Sequence, residues 1–599
     1  MTTSPSTTDA DLTAAEVSWD LEPLLEGATV DELLRRAKAI AAEIGEQRGQ
    51  IGELDAPALA ALMRNVAEVH ELISRVGNYA SLRFSVDTTD PAVGALMARV
   101  DEEATAISND LVFVELEWAQ VPDARVDELL AHDDLAFCRH HLRSALRMRP
   151  HLLPEGEERI IADKSVTGRG AWTRLFSELD AAITVEIDGE SVPLESALSL
   201  LASADRAVRA NAQQAITEGL APGIRTRAFV FNTVLADAAL DDRIRKFPTW
   251  VSSRNLANEA SDESVQALVD AVVRRYDIPQ RWYALKARLL GVDRLADYDR
   301  MAAVAASDDQ FGWAEAKEIV LSSYASFSPE LADAGSRFFE EGWIDAPMRP
   351  GKRPGAFCAY TVPSHHPYLL LNWTAKRRDV LTLAHELGHG LHAYLAREQG
   401  IFHQTTPLTL AETASVFGET VTFGRLLQDT TAPDARLALL AESLEGAIAT
   451  VFRQIAMNRF EAAVHTERRE VGELSVDRFG ELWYETQTAM LGDAVEVTDN
   501  YRSWWSYIPH FIHTPGYVYA YAYGQLLALS VYKQYEDQGA AFVPAYLDLL
   551  RAGGSRSPEA LGSLVGVDLA DPGFWDGGLE IIEGQLEAAE AAAKAAGRL

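Results

Sequence analysis

A mainly α-helical fold is predicted by three observations. Apolar residues recur three and four positions apart over long stretches, strand-like alternation is confined to two short segments, and no internal repeat or long Pro/Gly linker breaks the pattern. Residues 1–15, rich in Thr, Ser and Asp, are expected to be disordered, and order is expected to begin at "SWDLEPLLEG". "VDELLRRAKAIAAEIGEQRG" and "DPAVGALMARVDEEATAISNDLVFVELEWAQV" read as amphipathic helices, as do residues 433–466 and 571–597. Helix propensity accounts for the Ala- and Glu-rich C-terminal stretch. "AAITVEIDGESVPLE" reads as two short strands around a turn at Asp188 and Gly189. "GAFCAYTVPSHHPYLLLNW", residues 355–373, reads as two strands joined by a Pro/His loop, a small sheet just ahead of the stretch that carries the chemistry. A division is drawn near residue 200, into residues 16–200 and 201–599.

The chain has 599 residues, 48% hydrophobic and 24% charged, the balance of a soluble globular protein. No apolar run reaches the ~18 residues of a membrane span, and the N-terminus lacks the basic start and apolar stretch of a secretory signal, which points to the cytoplasm. Two cysteines, Cys138 and Cys358, cannot build a disulfide framework. With 54 basic against 89 acidic residues the net charge is -35. Such a surface repels nucleic acid and anionic lipid, so neither is expected as a partner; most of the charge reads as a solvated face.

Nine of the fourteen histidines fall between His365 and His513, and the densest group lies in "LTLAHELGHGLHAYLA", residues 381–396. His385 and His389 are four apart, hence one helical turn apart on one face, a spacing that suits two of the four positions around zinc. Glu386 is rotated around the helix and can reach a water without displacing either imidazole, as a general base must. H-E-x-x-H occurs by chance in roughly 3% of such chains, so the context has to carry the rest. Gly388 and Gly390 each cost about 1 kcal/mol against alanine in a helix, which is tolerable if something must approach closely. The bland alternative is a pair of ordinary buried histidines.

A third ligand is sought in "PLTLAETASVFGETV", residues 407–421, which reads as one more buried helix. Glu412 lies inside its apolar run, where an unpaired carboxylate is costly and a divalent cation would offset the cost. Glu419, seven residues on, is placed to accept a hydrogen bond from the far nitrogen of a ligating histidine. His392 reads as a structural hydrogen-bonding residue, and His365 and His366 as loop residues either touching a peptide or facing solvent. In "FCRHHL", Cys138, His140 and His141 are neighbours whose side chains diverge on a helix, so no site is expected there.

The chain resembles the thimet-oligopeptidase family of zinc metallopeptidases, in its oligoendopeptidase F branch. The resemblance rests on "GKRPGAFCAYTVPSHHPYLLLNW", "HELGHGLH", "LAETASVFGE" and "IPHFIHTPGYVYAYAYG", with "SWDLEPLL" and "RPHLLPEGEERI" earlier in the chain. It implies a two-lobed, clam-like helical zincin with a deep channel, residues 201–599 being the catalytic zinc peptidase domain. One Zn2+ is then held by His385, His389 and Glu412, with Glu386 as general base. His510 and tyrosines of the late motif contact the substrate carbonyl; helical spacing favours Tyr517 and Tyr521 among the four tyrosines from Tyr517 to Tyr523. His513 has no secure match. The strand around Gly355, Ala356, Phe357 and Tyr360 is expected to take the peptide backbone as an added strand. The activity implied is hydrolysis of internal bonds in short peptides. Two alternatives stay open: a dipeptidyl carboxypeptidase with the same chemistry, and a non-catalytic helical peptide-binding protein with structural zinc. The oligomeric state is not legible.

Overall fold

The computed structural model describes residues 8–304 and 309–599. Of the stretch 1–15, residues 1–7 lie outside those described; Asp9–Leu12 form one helical turn, capped where the Thr8 hydroxyl accepts from the Asp11 N–H.

Three long helices come first: α1 (Val30–Gly45), α2 (Ala56–Val86) and α3 (Pro91–Trp118), which pack on one another. Helix α1 starts with a reciprocal cap between Thr29 and Glu32, and α2 and α3 start with Asp55 and Asp90 accepting from main-chain N–H groups. Helix α4 (Arg169–Ala181) precedes the hairpin of β1 (Thr184–Ile187) and β2 (Glu190–Pro193). The strands are antiparallel, and the turn sits where expected, with positive φ at both Asp188 and Gly189. Helices α5 (Arg206–Leu220) and α6 (Ile224–Arg245) follow, then α7 (Trp313–Phe327) and α8 (Pro329–Glu340).

A three-stranded sheet comes next: β3 (Ile344–Pro347), β4 (Phe357–Ala359) and β5 (Tyr368–Trp373), in the order β3-β5-β4. Strand β5 is central and almost wholly buried, parallel to β3 and antiparallel to β4, which forms an edge. Helices α9 (Arg377–Ala396) and α10 (Ser415–Asp429) complete this region. Helix α11 (Pro433–Ala447) continues through a π-helical turn, Ile448–Phe452, into α12 (Arg453–Glu470). Helices α13 (Val476–Leu491), α14 (Tyr519–Gln538) and α15 (Pro572–Ala595) close the chain.

Chain contacts gather these elements into two units, each assembled from three stretches. One holds residues 1–149, 308–429 and 534–568, the other 150–307, 430–533 and 569–599, so neither unit coincides with residues 16–200 or 201–599. The first contains α1–α3, the three-stranded sheet and α7–α10. In the second, α5 packs on the hairpin, α12 on α6 and α13, and α15 on α11. No helix among the described residues is long and apolar enough to cross a membrane.

Candidate metal centre

The start of α9 is set by Asp379, whose carboxylate accepts from the N–H groups of Thr374 (2.7 Å) and Lys376 (3.1 Å) and from the Thr374 hydroxyl (2.7 Å). Val380, Leu383, Ala384, Leu387 and Leu391 are buried, and the helix packs on β5, α7 and α10. That orientation leaves His385 and His389 together on the remaining face, ring centroids 5.0 Å apart and planes at 80°. Glu386, one residue round, is 7% exposed.

The single helix expected over 407–421 is interrupted. Leu408–Ala411 make one turn, Glu412 to Ala414 form a break, and α10 begins at Ser415. At the break, main chain rather than side chains meets α9. A Cβ on Gly388 would lie 2.6 Å from the Ser415 Cα and 2.8 Å from the Ala414 carbonyl carbon. Gly390 likewise leaves space for the ring of Phe338 on α8. Because these neighbours include backbone that cannot swing aside, Gly388→Ala is expected to destabilise by about 2–3 kcal/mol; an unchanged melting temperature would contradict the close approach.

The break also carries Glu412 out of the buried run, leaving its side chain 36% exposed rather than enclosed. Its Oε2 lies 3.4 Å from His385 Nε2 and 3.6 Å from His389 Nε2. One donor atom from each of the three residues lies within 4.8 Å of the others, and among the described residues this is the sole cluster of three or more His, Cys, Asp or Glu donors so arranged. A tetrahedral zinc with bonds of about 2.0–2.1 Å has edges of about 3.3–3.4 Å, so the separations suit it. Ser415 Oγ donates to Glu412 Oε2 at 2.7 Å and fixes that carboxylate.

His385 Nδ1 lies 3.1 Å from Glu419 Oε2. With its Nδ1–H donated there, the ring directs Nε2 toward Glu412. Burial depresses the basicity of His385, but the hydrogen bond to Glu419 and the charges of Glu412, Glu419 and Glu386 outweigh it and raise the imidazole to about 9. His389 goes the other way, down to about 4, chiefly through burial and against the pull of Glu412. Burial, reinforced by Glu412 and opposed by His385, pushes the Glu386 carboxyl up to about 7. Three carboxylates around two imidazoles make a negative pocket that holds a proton on His385, and a divalent cation binding there would displace that proton.

Strand β4 packs against α9 with its outer edge unpaired in the sheet. Phe357 lies within it, Gly355 and Ala356 just before it, and Tyr360 just after. The Gly355 carbonyl is tied to the Asn372 side chain at 2.7 Å. Burial, with the charges of Cys358, Glu412 and Glu386, keeps the Tyr360 phenol protonated far above its usual range. His365 and His366 are half-buried: the ring of His366 stacks on Trp343 at 4.0 Å, and His365 Nε2 lies 3.1 Å from the Tyr368 hydroxyl. His392 does not make the expected hydrogen bond. Both its nitrogens are buried without a partner among the described residues, and burial, with His389 beside it, keeps it neutral, down to about 3.

In the second unit the late motif separates its tyrosines by burial. Tyr519 and Tyr523 are fully buried; the first accepts from the Asn258 side chain at 3.0 Å, and the second donates to Ser264 Oγ at 3.3 Å. Tyr517 and Tyr521 stand apart from that core with rings edge to face at 5.2 Å, and the Tyr521 hydroxyl lies 3.1 Å from His510 Nε2. Tyr517 precedes α14 rather than belonging to it, so a turn as well as helical spacing makes the pair. His513 is tied to α4: Arg169 donates to its carbonyl and Ser177 Oγ lies 3.2 Å from its Nε2. Sequence reasoning passed over Ser415, although its place three residues after Glu412 was a usable signal, and over Tyr324, whose buried hydroxyl donates to the Ala384 carbonyl at 2.8 Å.

Residues 199–581 match the family model described as peptidase family M3, and residues 117–184 match the one described as oligopeptidase F. The chain belongs to peptidase family M3. This M3 peptidase is a metalloendopeptidase that acts on oligopeptides. It is similar to oligopeptidase PepF of Bacillus subtilis, with 26% identity over 591 residues covering 96% of this chain and 87% of the relative. The group B oligopeptidase PepB of Streptococcus agalactiae is 28% identical over 523 residues, 86% of each chain. The fold is that of the oligoendopeptidase F crystal structure from Enterococcus faecium, with a TM-score of 0.69 at 22% identity over 94% of this chain and 100% of that one.

Proposed function

We propose that this peptidase hydrolyses internal bonds of short peptides with one zinc ion held by His385, His389 and Glu412 and with Glu386 as general base. The observation that carries this reading is the convergence of three donor atoms within 4.8 Å of one another, beside a buried carboxylate on the same helix turn. A bound zinc supplies Lewis acidity to the scissile carbonyl and to the attacking water. Glu386 takes the proton from that water and passes it to the departing amine. Glu419 holds His385 by Nδ1, and Ser415 holds Glu412, so both ligands are oriented in advance. The open edge of β4 takes the peptide backbone as an added strand, with Gly355, Ala356, Phe357 and Tyr360 along it, which favours main chain over particular side chains. To His510, Tyr517 and Tyr521 we assign hydrogen bonds to the substrate carbonyl; Tyr519 and Tyr523 are already committed to the core.

The test is digestion of a peptide blocked at both ends, followed by mass spectrometry, with metal analysis of the same sample. Internal cuts, one zinc per chain, loss on chelation and recovery with zinc are expected. Release of C-terminal dipeptides from peptides with free ends, and no cut in the blocked one, would favour the dipeptidyl carboxypeptidase. Bound zinc with no cleavage would leave a binding protein.

A further inference from the structure

A buried carboxyl lies behind the tyrosine motif and has no part in the reaction above. Glu461 on α12 is 0% exposed. Its Oε1 accepts the Gly516 N–H at 2.7 Å, whereas its Oε2 has no hydrogen-bond partner among the described residues. Burial drives this carboxyl up to about 8, with the Gly516 N–H and the Arg254 charge working the other way. A carboxyl enclosed with one oxygen bare costs free energy, so the hydrogen bond it does make calls for an explanation.

That bond belongs to a set that fixes the turn between His513 and Tyr519 one peptide at a time. The Thr514 carbonyl accepts the Tyr517 N–H at 3.1 Å, and the Pro515 carbonyl accepts from Arg254 Nε at 3.5 Å. Gly516 has φ +74 and lies against Trp250 and Val251, each 3.4 Å from where a Cβ would stand. His465, one turn after Glu461, stacks on Trp250 at 4.7 Å and backs that wall. The next residue is Tyr517, whose ring meets Tyr521, which in turn reaches His510.

We infer that Glu461 is a positioning residue: by anchoring the Gly516 amide it sets where Tyr517 and Tyr521 stand when they meet a substrate carbonyl. The inference rests on the carbonyl-donor reading of those tyrosines given above. Glu461 touches no substrate and acts only through the turn.

The experiment measures kcat and KM on a quenched fluorescent peptide, with zinc content and melting temperature, for Glu461→Leu and Glu461→Gln, alone and combined with Tyr521→Phe. Glu461→Leu removes the acceptor at similar size and is expected to lower kcat about 10- to 100-fold, the usual effect of a small misplacement, with KM and zinc content nearly unchanged. Glu461→Gln keeps an acceptor and is expected to restore kcat to within about threefold. In the Tyr521→Phe background Glu461→Leu should add little. If Glu461→Leu does not fold, Glu461→Asp, one methylene too short to span to Gly516, carries the same comparison. A folded acceptor-less variant with wild-type kcat, or losses that multiply fully in the double variant, would overturn the inference. Wild-type kcat in Tyr521→Phe alone would instead remove the donor reading beneath it.

Discussion

Glu386→Gln is expected to keep its metal and lose roughly a thousandfold in kcat, within the range a positioned general base contributes. The two side chains are nearly the same size, so the packing of this buried position is preserved. What changes is the ability to accept a proton, since an amide does not. Glu386 lies about 100° around the helix from His385 and is not among the three converging donors, so the ligand set is untouched. Removing a desolvated carboxylate that lies within the field of Glu412 also relieves repulsion, so the melting temperature is not expected to fall. Metal analysis and single-turnover kinetics on the same preparation check the point: wild-type turnover would end the general-base assignment, and lost metal would make Glu386 a ligand.

Glu412→Ala is expected to produce the opposite pattern. One of the three proposed ligands disappears, and with it the carboxylate that faces Nε2 of both histidines, and the Ser415 hydroxyl loses the oxygen it orients. Zinc affinity should drop by about 100-fold or more, because loss of even an outer partner of a ligand commonly costs 10- to 100-fold. The measurement is competition against a chelator of known affinity. Activity should vanish at trace zinc and recover only in part at high zinc, whereas unchanged occupancy would exclude Glu412 as a ligand. Glu412 lies at a break rather than inside a helix, so alanine there leaves no large core cavity, and the fold is expected to survive.

Much of this was legible in the sequence because local physics decided it. The 3.6-residue periodicity gave the helices, the Asp188–Gly189 turn gave the hairpin, and the four-residue spacing of His385 and His389 put their two rings on one face. The break at Glu412 was not legible. The apolar spacing runs straight through residues 407–421 with no Gly or Pro in the break, and the backbone that the break brings forward meets another helix, at Gly388. The choice among four alternating tyrosines was half legible: spacing paired Tyr517 with Tyr521, but only the partners of Tyr519 and Tyr523, Asn258 and Ser264, showed which pair the core had claimed. The Glu461 to Gly516 hydrogen bond joins residues 55 apart in sequence, and no local pattern announces such a pairing.

The π-helical turn at Ile448–Phe452 has a consequence for how this chain tolerates length changes. A widened turn of this kind holds one residue more than a regular α-helical path, and each residue advances the helix by about 100°. Deleting one residue between 448 and 452 would return this segment to a regular helix over the same path and leave Glu461 and His465 facing the glycine and tryptophan they now face. A deletion in the regular turns of α12 before Glu461 would instead swing both by about 100°. Evolution can therefore trim the widened turn more freely than the regular helix that follows it.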